Sequence, residues 1–361
     1  MFEAVLLARR LSRLSYQPDQ GPNVLALYAD EHVADIRIRP VLNSLIVRGV
    51  LKDYCVADRS LMLKSRKKFS FSHLLAHRNV STAQIAFLKK HHDAPLIYDI
   101  DDLLTSVPKN VLRFAPRQLK RMHWCVGRSD LLTVSTRKLG GHLLEDVGLS
   151  REFSVIPNGL DDLCAPDMKP FNNTVIWTSG DVPFFLTHNR KFVDQLAEWA
   201  NREKIKMVFI GRFDISHIVS RFHHFQHIPF LDFRSYRQFL RQNAGALAIA
   251  PLPTQFLEEE QRFFDSKSDI KLLDYLSSGV IPIASSAAPY RDSELFIPEL
   301  SADTGEQMIA LLEECRQNFG RALALFQSKI LEQGGLSGRN YNAISMAFDR
   351  CLTGQRRPAE L

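Results

Sequence analysis

Cysteine is scarce and scattered. The five cysteines of this 361-residue chain (Cys55, Cys125, Cys164, Cys315, Cys351) form no CxxC pair and have no histidine partner. That excludes a disulfide framework or a zinc core and fits reduced thiols in a cytoplasmic protein. No apolar run approaches the ~20 residues of a membrane-spanning helix. The first twenty residues lack the apolar core of a secretory signal. Repeats and low-complexity tracts are absent. Excess charge is small: 46 Lys and Arg against 40 Asp and Glu leave +6. That is mild for a nucleic-acid binder, but it suits anionic ligands or an anionic membrane surface. What is present is a hydrophobic fraction of 45%. With this length, it is enough for two domains with buried cores.

The chain alternates short apolar runs with helical periodicity. Residues 1–20 carry Phe2, Val5, Leu6, Leu7, Leu11 and Leu14 between Arg9, Arg10 and Arg13, which predicts a short basic amphipathic helix. Strands follow at 24–28, 54–57, 73–76, 95–98, 131–135 and 153–156, with helices at 35–47, 81–90, 111–128 and 137–147. Residues 160–172 lose periodicity and mark a boundary. A second series has strands at 175–178, 206–210, 226–230, 246–250 and 280–284. Its helices lie at 188–201, 235–243, 304–332 and 338–352. The expected class is α/β, with two doubly wound Rossmann-like domains facing a cleft. We expect an N-terminal domain over 1–165, a second over 171–335, and a helix and tail over 336–361 that return to the first.

Several charged groups fall at strand ends, where parallel sheets meet their ligands. Arg37 and Arg39 follow the first strand, and His77 and Arg78 end another. Asp99, Asp101 and Asp102 cluster after a third. An Asp-x-Asp pair can chelate Mg²⁺ or Mn²⁺, cap a helix, or bind a hydroxyl-rich substrate. His77 reads equally well as a packed histidine. His91–His92 and His223–His224 lack further ligands and read as surface pairs, so no metal site is expected. The basic run at 59–68 (Arg59, Lys64, Arg66, Lys67, Lys68) reads as a solvated face or, more sharply, as contact with an anionic membrane, which the basic helix at 113–128 also suits.

Residues 265–290 are the most informative. Ser268 reads as an N-cap with Asp269 in the first turn. Ile270, Leu273 and Leu276 make an apolar face, and Gly279 stops the helix before a strand at 280–284. Lys267, Lys271, Asp274 and Ser278 fall on one stripe. Lysines beside a helix start suit a diphosphate, and a carboxylate two turns on suits the vicinal hydroxyls of a ribose. The plainer alternative is a solvated face with a Lys271–Asp274 ion pair of about 0.2–0.5 kcal/mol.

Four strings then resemble a GT-B glycosyltransferase of the family 4-like group. They are Leu-Leu-Thr-Val-Ser-Thr (131–136), Val-Ile-Pro-Asn-Gly-Leu-Asp (155–161), Ile-Tyr-Asp-Ile-Asp-Asp (97–102), and Ala-Ile-Ala-Pro-Leu (248–252) with the 267–285 stretch. The resemblance spans about residues 22–350. It implies transfer of a sugar from a nucleotide-sugar donor, a co-substrate rather than a cofactor, to a glycan or lipid-linked acceptor. It favours retention and a role in surface polysaccharide assembly. Asp274 stands where the family grips the ribose with a glutamate, and Ser266 stands where a second glutamate often contacts the sugar. The implied donor-binding residues are Gly180, Arg190, Lys191, Arg212, Lys267, Ser268, Asp269, Lys271 and Asp274. The implied catalytic candidates are Asp99, Asp101 and His77, with Arg37, Arg39, Arg78 and Asp102 on the acceptor side. Asn158 and Gly159 read as structural. A location in the cytoplasm at the inner membrane face follows, with no nucleic-acid partner. Competing readings are a metal-dependent GT-A transferase using Asp99 and Asp101, a nucleotide-sugar epimerase, and a non-catalytic nucleotide-sugar binder.

Overall fold

The computed structural model describes residues 10–18, 21–29, 31, 34–63, 68–107, 116–160, 169–179, 182–213, 217–252 and 258–352. Two six-stranded parallel sheets organise them.

In the first half the elements run β1 (Leu14–Tyr16), β2 (Asn23–Leu27), α1 (Arg39–Val47), β3 (Asp53–Ala57), β4 (Phe69–Phe71) and β5 (His73–His77). They continue with α2 (Thr82–Lys90), β6 (Leu96–Ile100), α3 (Pro116–Arg128), β7 (Leu131–Val134), α4 (Arg137–Val147) and β8 (Ser154–Val155). The sheet order is β3-β2-β5-β6-β7-β8. Its central strands are buried from end to end, as helices on both faces require. Helix starts follow local chemistry: Ser81 and Gln84 form a capping box, and the Thr136 hydroxyl accepts from the Leu139 amide. Of the helix expected over residues 1–20, residues 1–9 and 19–20 lie outside the described residues, 10 and 11 are helical, and 14–16 are a correction. They form a strand parallel to Phe69–Phe71, because Leu14 is buried in the core that Phe71 also fills. The expected first helix begins differently too. Ala34–Ile38 is a π-helical turn before α1, a local widening often found at functional sites.

The second half runs β9 (Thr174–Ser179), α5 (Val182–Arg202), β10 (Lys206–Gly211), β11 (Phe225–Ile228), α6 (Phe233–Gln242), β12 (Leu247–Ala250) and α7 (Glu258–Asp265). It ends α8 (Ile270–Leu276), β13 (Ile281–Ser285), α9 (Ala288–Arg291), β14 (Ser301–Ala302), α10 (Gly305–Gln317) and α11 (Phe319–Glu332). The order is β11-β10-β9-β12-β13-β14. The helix expected over 304–332 is two, broken at Asn318, which ends α10 and begins α11. The last helices, α12 (Tyr341–Ile344) and α13 (Met346–Leu352), lie on the first half. Tyr341, Phe348 and Leu352 join its core, and Arg48 pairs with Asp349 at 2.6 Å.

Helix α7 is an unexpected element. Its Phe263 and Phe264 are buried in the core of the first half, although they follow the fourth strand of the second. Arg262 adds a pair to Asp146 at 2.8 Å, and Lys138 on α4 pairs with Asp292 at 2.7 Å. The seam between the halves is therefore packed, not open along its whole length.

Candidate functional site

In both sheets the strand order reverses near the middle, between β2 and β5 and between β9 and β12. Ligands of open α/β sheets bind at the carboxyl ends of strands at such points. The charged groups singled out in the sequence gather there on the first sheet.

Register makes the first cluster. His77, Asp99 and Thr133 lie side by side on β5, β6 and β7. Asp99 is inside its strand rather than after it, and only 3% exposed. Arg37, from the π-helical turn, donates to Asp99 Oδ1 at 2.7 Å and Oδ2 at 3.2 Å, and the Thr133 hydroxyl donates to Oδ1 at 2.6 Å. Burial lowers the Arg37 pKa, but Asp99 outweighs it and the net shift is upward. Asp99 is thus sealed by its partners. Arg39, two residues on, faces the other way: it pairs with Asp35 and, at 3.3 Å, with Glu31. It does not join the cluster.

Arg78 takes positive φ (51°), uncommon outside glycine. Its amide donates to Asp99 O at 2.9 Å and its carbonyl accepts from the Tyr98 hydroxyl at 2.6 Å. In that pose the guanidinium grips Asp101, with Nη2 at 2.9 Å from Oδ2, and reaches Asp102 at 3.4 Å. Burial raises the Asp101 carboxyl, but Arg78, then His77, outweigh it and hold it well below the usual range. His77 is fully buried; its Nε2 lies 3.3 Å from Asp101 and 3.5 Å from Asp99, with neither aligned as a hydrogen bond. Both members of the Asp-x-Asp pair are taken by arginines, which weighs against their use as a metal motif.

The second half meets this cluster through the segment before α8. Lys267 Nζ donates to Asp102 at 2.7 Å and sits 4.1 Å from the Phe263 ring centre. Ser268 is not the N-cap. That position is Asp269, whose side chain makes no capping bond because Arg339 and Ser293 take it, each at 2.5 Å. Ser268 instead accepts from Asn158 at 2.8 Å. Asn158 also meets Arg37 at 3.4 Å, and its carbonyl accepts from Arg339 at 3.2 Å. It therefore links the Asp99 cluster to the start of α8. Lys271 is half-buried; burial, then repulsion from Lys267, lowers it to about 8. Asp274 is 4% exposed, and its Oδ1 is buried with no partner. Burial raises its carboxyl to about 7, Arg237 pulls it down, and Asp269 pushes it up. No Lys271–Asp274 ion pair is present.

Other candidates fall elsewhere. Gly180 lies outside the described residues, as does the Arg190 side chain. Lys191 is exposed and pairs with Glu306 at 2.9 Å, so it does not join the Lys267 group. Arg212 is exposed beside Gly211 at the end of β10. Ser266 is fully buried, held by the Arg262 carbonyl at 2.7 Å and His142 at 3.1 Å, at the seam between the halves. His91 is partly exposed, with its ring packed 4.5 Å from that of Phe87. Of the basic runs, Lys64, Arg66, Lys67 and Arg113 lie outside the described residues. Sequence reasoning missed Arg237, Arg339 and Thr133. Only Thr133 left a signal, a hydroxyl inside an otherwise apolar strand, which needs a partner when buried.

No protein-family model and no curated protein matches this sequence. Solved structures do match. Sucrose-phosphate synthase from Thermosynechococcus elongatus aligns with a TM-score of 0.63 at 9% identity, covering 92% of this chain and 98% of that one. Anabaena HepE, solved with UDP-glucose, gives 0.57 at 12% identity, covering 92% and 99%. A Listeria monocytogenes protein described as a putative UDP-N-acetylglucosamine 2-epimerase gives 0.53 at 11%, covering 94% and 99%. Two parallel-sheet domains, the chain's closing return onto the first, and these alignments over nearly the whole length identify the fold as GT-B.

Proposed function

We propose that the protein is a glycosyltransferase that moves a sugar, with retention, from a nucleotide-diphosphate sugar to a glycan or lipid-linked acceptor in surface polysaccharide assembly. The observation that carries this reading is Asp274. A buried carboxylate is costly without hydrogen-bond partners, and a donor ribose supplies two hydroxyl donors. Lys271, one turn before it, and Lys267, in the segment leading into α8, are the cations for the diphosphate. Their charge stabilises that group as it leaves. Lys267 exchanges Asp102 for the phosphate when the donor enters. Retention is supported by the carboxylates. Asp99 is sealed by Arg37 and Thr133, and Asp101 is held far below neutral pH, so neither is a good general base. The donor phosphate then takes the acceptor proton, and Arg78, Asp102 and His77 shape the acceptor side. No cofactor is required.

The test is calorimetry with UDP, GDP and CDP and their sugars. One nucleotide is expected to bind, and Asp274→Ala to weaken it at least tenfold; undiminished binding in the variant would remove the ribose from this place. A second reading, a nucleotide-sugar binder without transfer, draws support from Ser266, which is buried where the resembled family has a sugar-contacting acid. Donor binding without release of nucleotide, with a panel of glycan acceptors, would favour it. We place the protein in the cytoplasm at the inner membrane face, held by basic groups on the first half. Loss of low-salt binding to anionic liposomes on neutralising Lys64, Arg66, Lys67 and Lys68 is the expected result.

A further inference from the structure

Arg237 Nε on α6 and Asp274 Oδ1 on α8 are buried without a hydrogen-bond partner, as is Ser278 Oγ just past the end of α8. Buried orphans are few in folded proteins, and a charged pair of them on neighbouring helices requires a cause. Arg237 lies on α6 and is itself buried. Its Nη2 meets the Ser277 hydroxyl at 3.3 Å, that hydroxyl donates to the Asp274 carbonyl at 3.2 Å, and the guanidinium lies 5.6 Å from the Phe233 ring centre. No ion pair with an acid is described for Arg237. Through Ser277 it is linked to the backbone of Asp274, one turn earlier, and its charge acts on that carboxyl.

We propose that Arg237 is the positioning residue for Asp274: it is the fixed counter-charge that keeps this buried carboxylate an acceptor of hydroxyl hydrogen bonds. The inference rests on the donor-site reading above and deepens it. An ionised carboxylate offers both oxygens as acceptors, whereas the neutral acid turns one into a donor, and burial alone drives it to the neutral acid. The other groups facing it do not supply the charge. Tyr236 on α6 and Tyr275 on α8 are neutral, with burial raising both further. Asp269 repels and is itself held by Arg339. Lys271 makes no ion pair with Asp274. Strands β12 and β13, beneath α8, contribute no titratable side chain. Arg237 alone remains. A shorter side chain than the glutamate of the resembled family makes this support more important, because the carboxylate stays deeper.

The experiment follows the Asp274 carboxyl by carbon NMR, assigned with Asp274→Asn, in wild type and Arg237→Met. Binding of UDP, GDP and CDP is followed from pH 6 to 9. In the variant the titration midpoint is expected to rise by a unit or more. Relative to wild type at the same pH, affinity should be about tenfold lower at pH 7 and equal by pH 9, where the loss of Lys271 charge weakens both alike, while Arg237→Lys stays near wild type. Arg237→Gln repeats the test if the methionine variant does not fold. An unmoved midpoint, or a loss equal at every pH, would overturn the proposal. If no nucleotide binds the wild type, the donor-site reading fails, while the NMR midpoint still decides the role of Arg237.

Discussion

Asp99, Asp101 and Asp102 stand within four residues, yet depth and partners separate them. Asp99 neutralises a fully buried arginine, so Asp99→Ala strands that charge. A loss of roughly 3–5 kcal/mol is expected in urea unfolding. Asp101 has a depressed carboxyl, so its stabilising effect is present above the unfolded value near 4 and is lost as pH falls through the folded one. Asp101→Asn should therefore lower stability at pH 7, by a margin that is constant down to the unfolded value near 4 and shrinks as pH falls below it; thermal melts across the acid range check this. Asp274 has the opposite sign. Its raised carboxyl, near 7, means that the ionised form costs stability from about pH 4 upward. Asp274→Asn should melt higher than wild type at pH 8 without nucleotide, and equally at pH 3. Stability gained together with binding lost would mark a group kept for a ligand. The Asp triplet stood out in the sequence because it closes an apolar run, and Asp274 because it shares a helical stripe with Lys267 and Lys271. Arg237 and Arg339 were not, since their partners lie 40 and 70 residues away and leave no local pattern.

Elements show the same division. Parallel strands that are buried on both faces read clearly, and most expected strands match within a residue or two. Helix α7 did not, because Glu258–Asp265 opens with three acids and closes on Phe-Phe-Asp, which has no helical apolar stripe of its own. Its two phenylalanines are buried by the other half of the molecule. Phe264→Ala should cost roughly 3–5 kcal/mol, and hydrogen exchange over 258–265 should rise well above the rest of the second half. Exchange confined to global unfolding would contradict that. Gly211 is a second local constraint. At φ 119° a side chain there would approach the Ser179 carbonyl within 1.9 Å, so the ends of β9 and β10 meet only through a glycine. Gly211→Val should be among the most damaging single changes in the second sheet.

At the scale of the whole molecule, the halves share structure more than their separate sheets suggest. The two-domain α/β pattern was legible because each half repeats strand and helix. Their attachment was not, because it depends on side chains that meet only after both sheets exist. Asn158, Ser268, Arg339 and Asp269 join across the seam, beside α4 against α7. Calorimetric melting should show one transition, and two resolved peaks would mean the seam is weak.

The return of Tyr341, Phe348 and Leu352 to the first core has a bearing on synthesis. The sheet that leaves the ribosome first lacks part of its own interior until residues 341–352 are made. For most of translation the nascent first half presents apolar surface to its surroundings, a state that favours chaperone capture or self-association. Ending translation before residue 341 should then produce an aggregation-prone chain even though every strand of both sheets is already present.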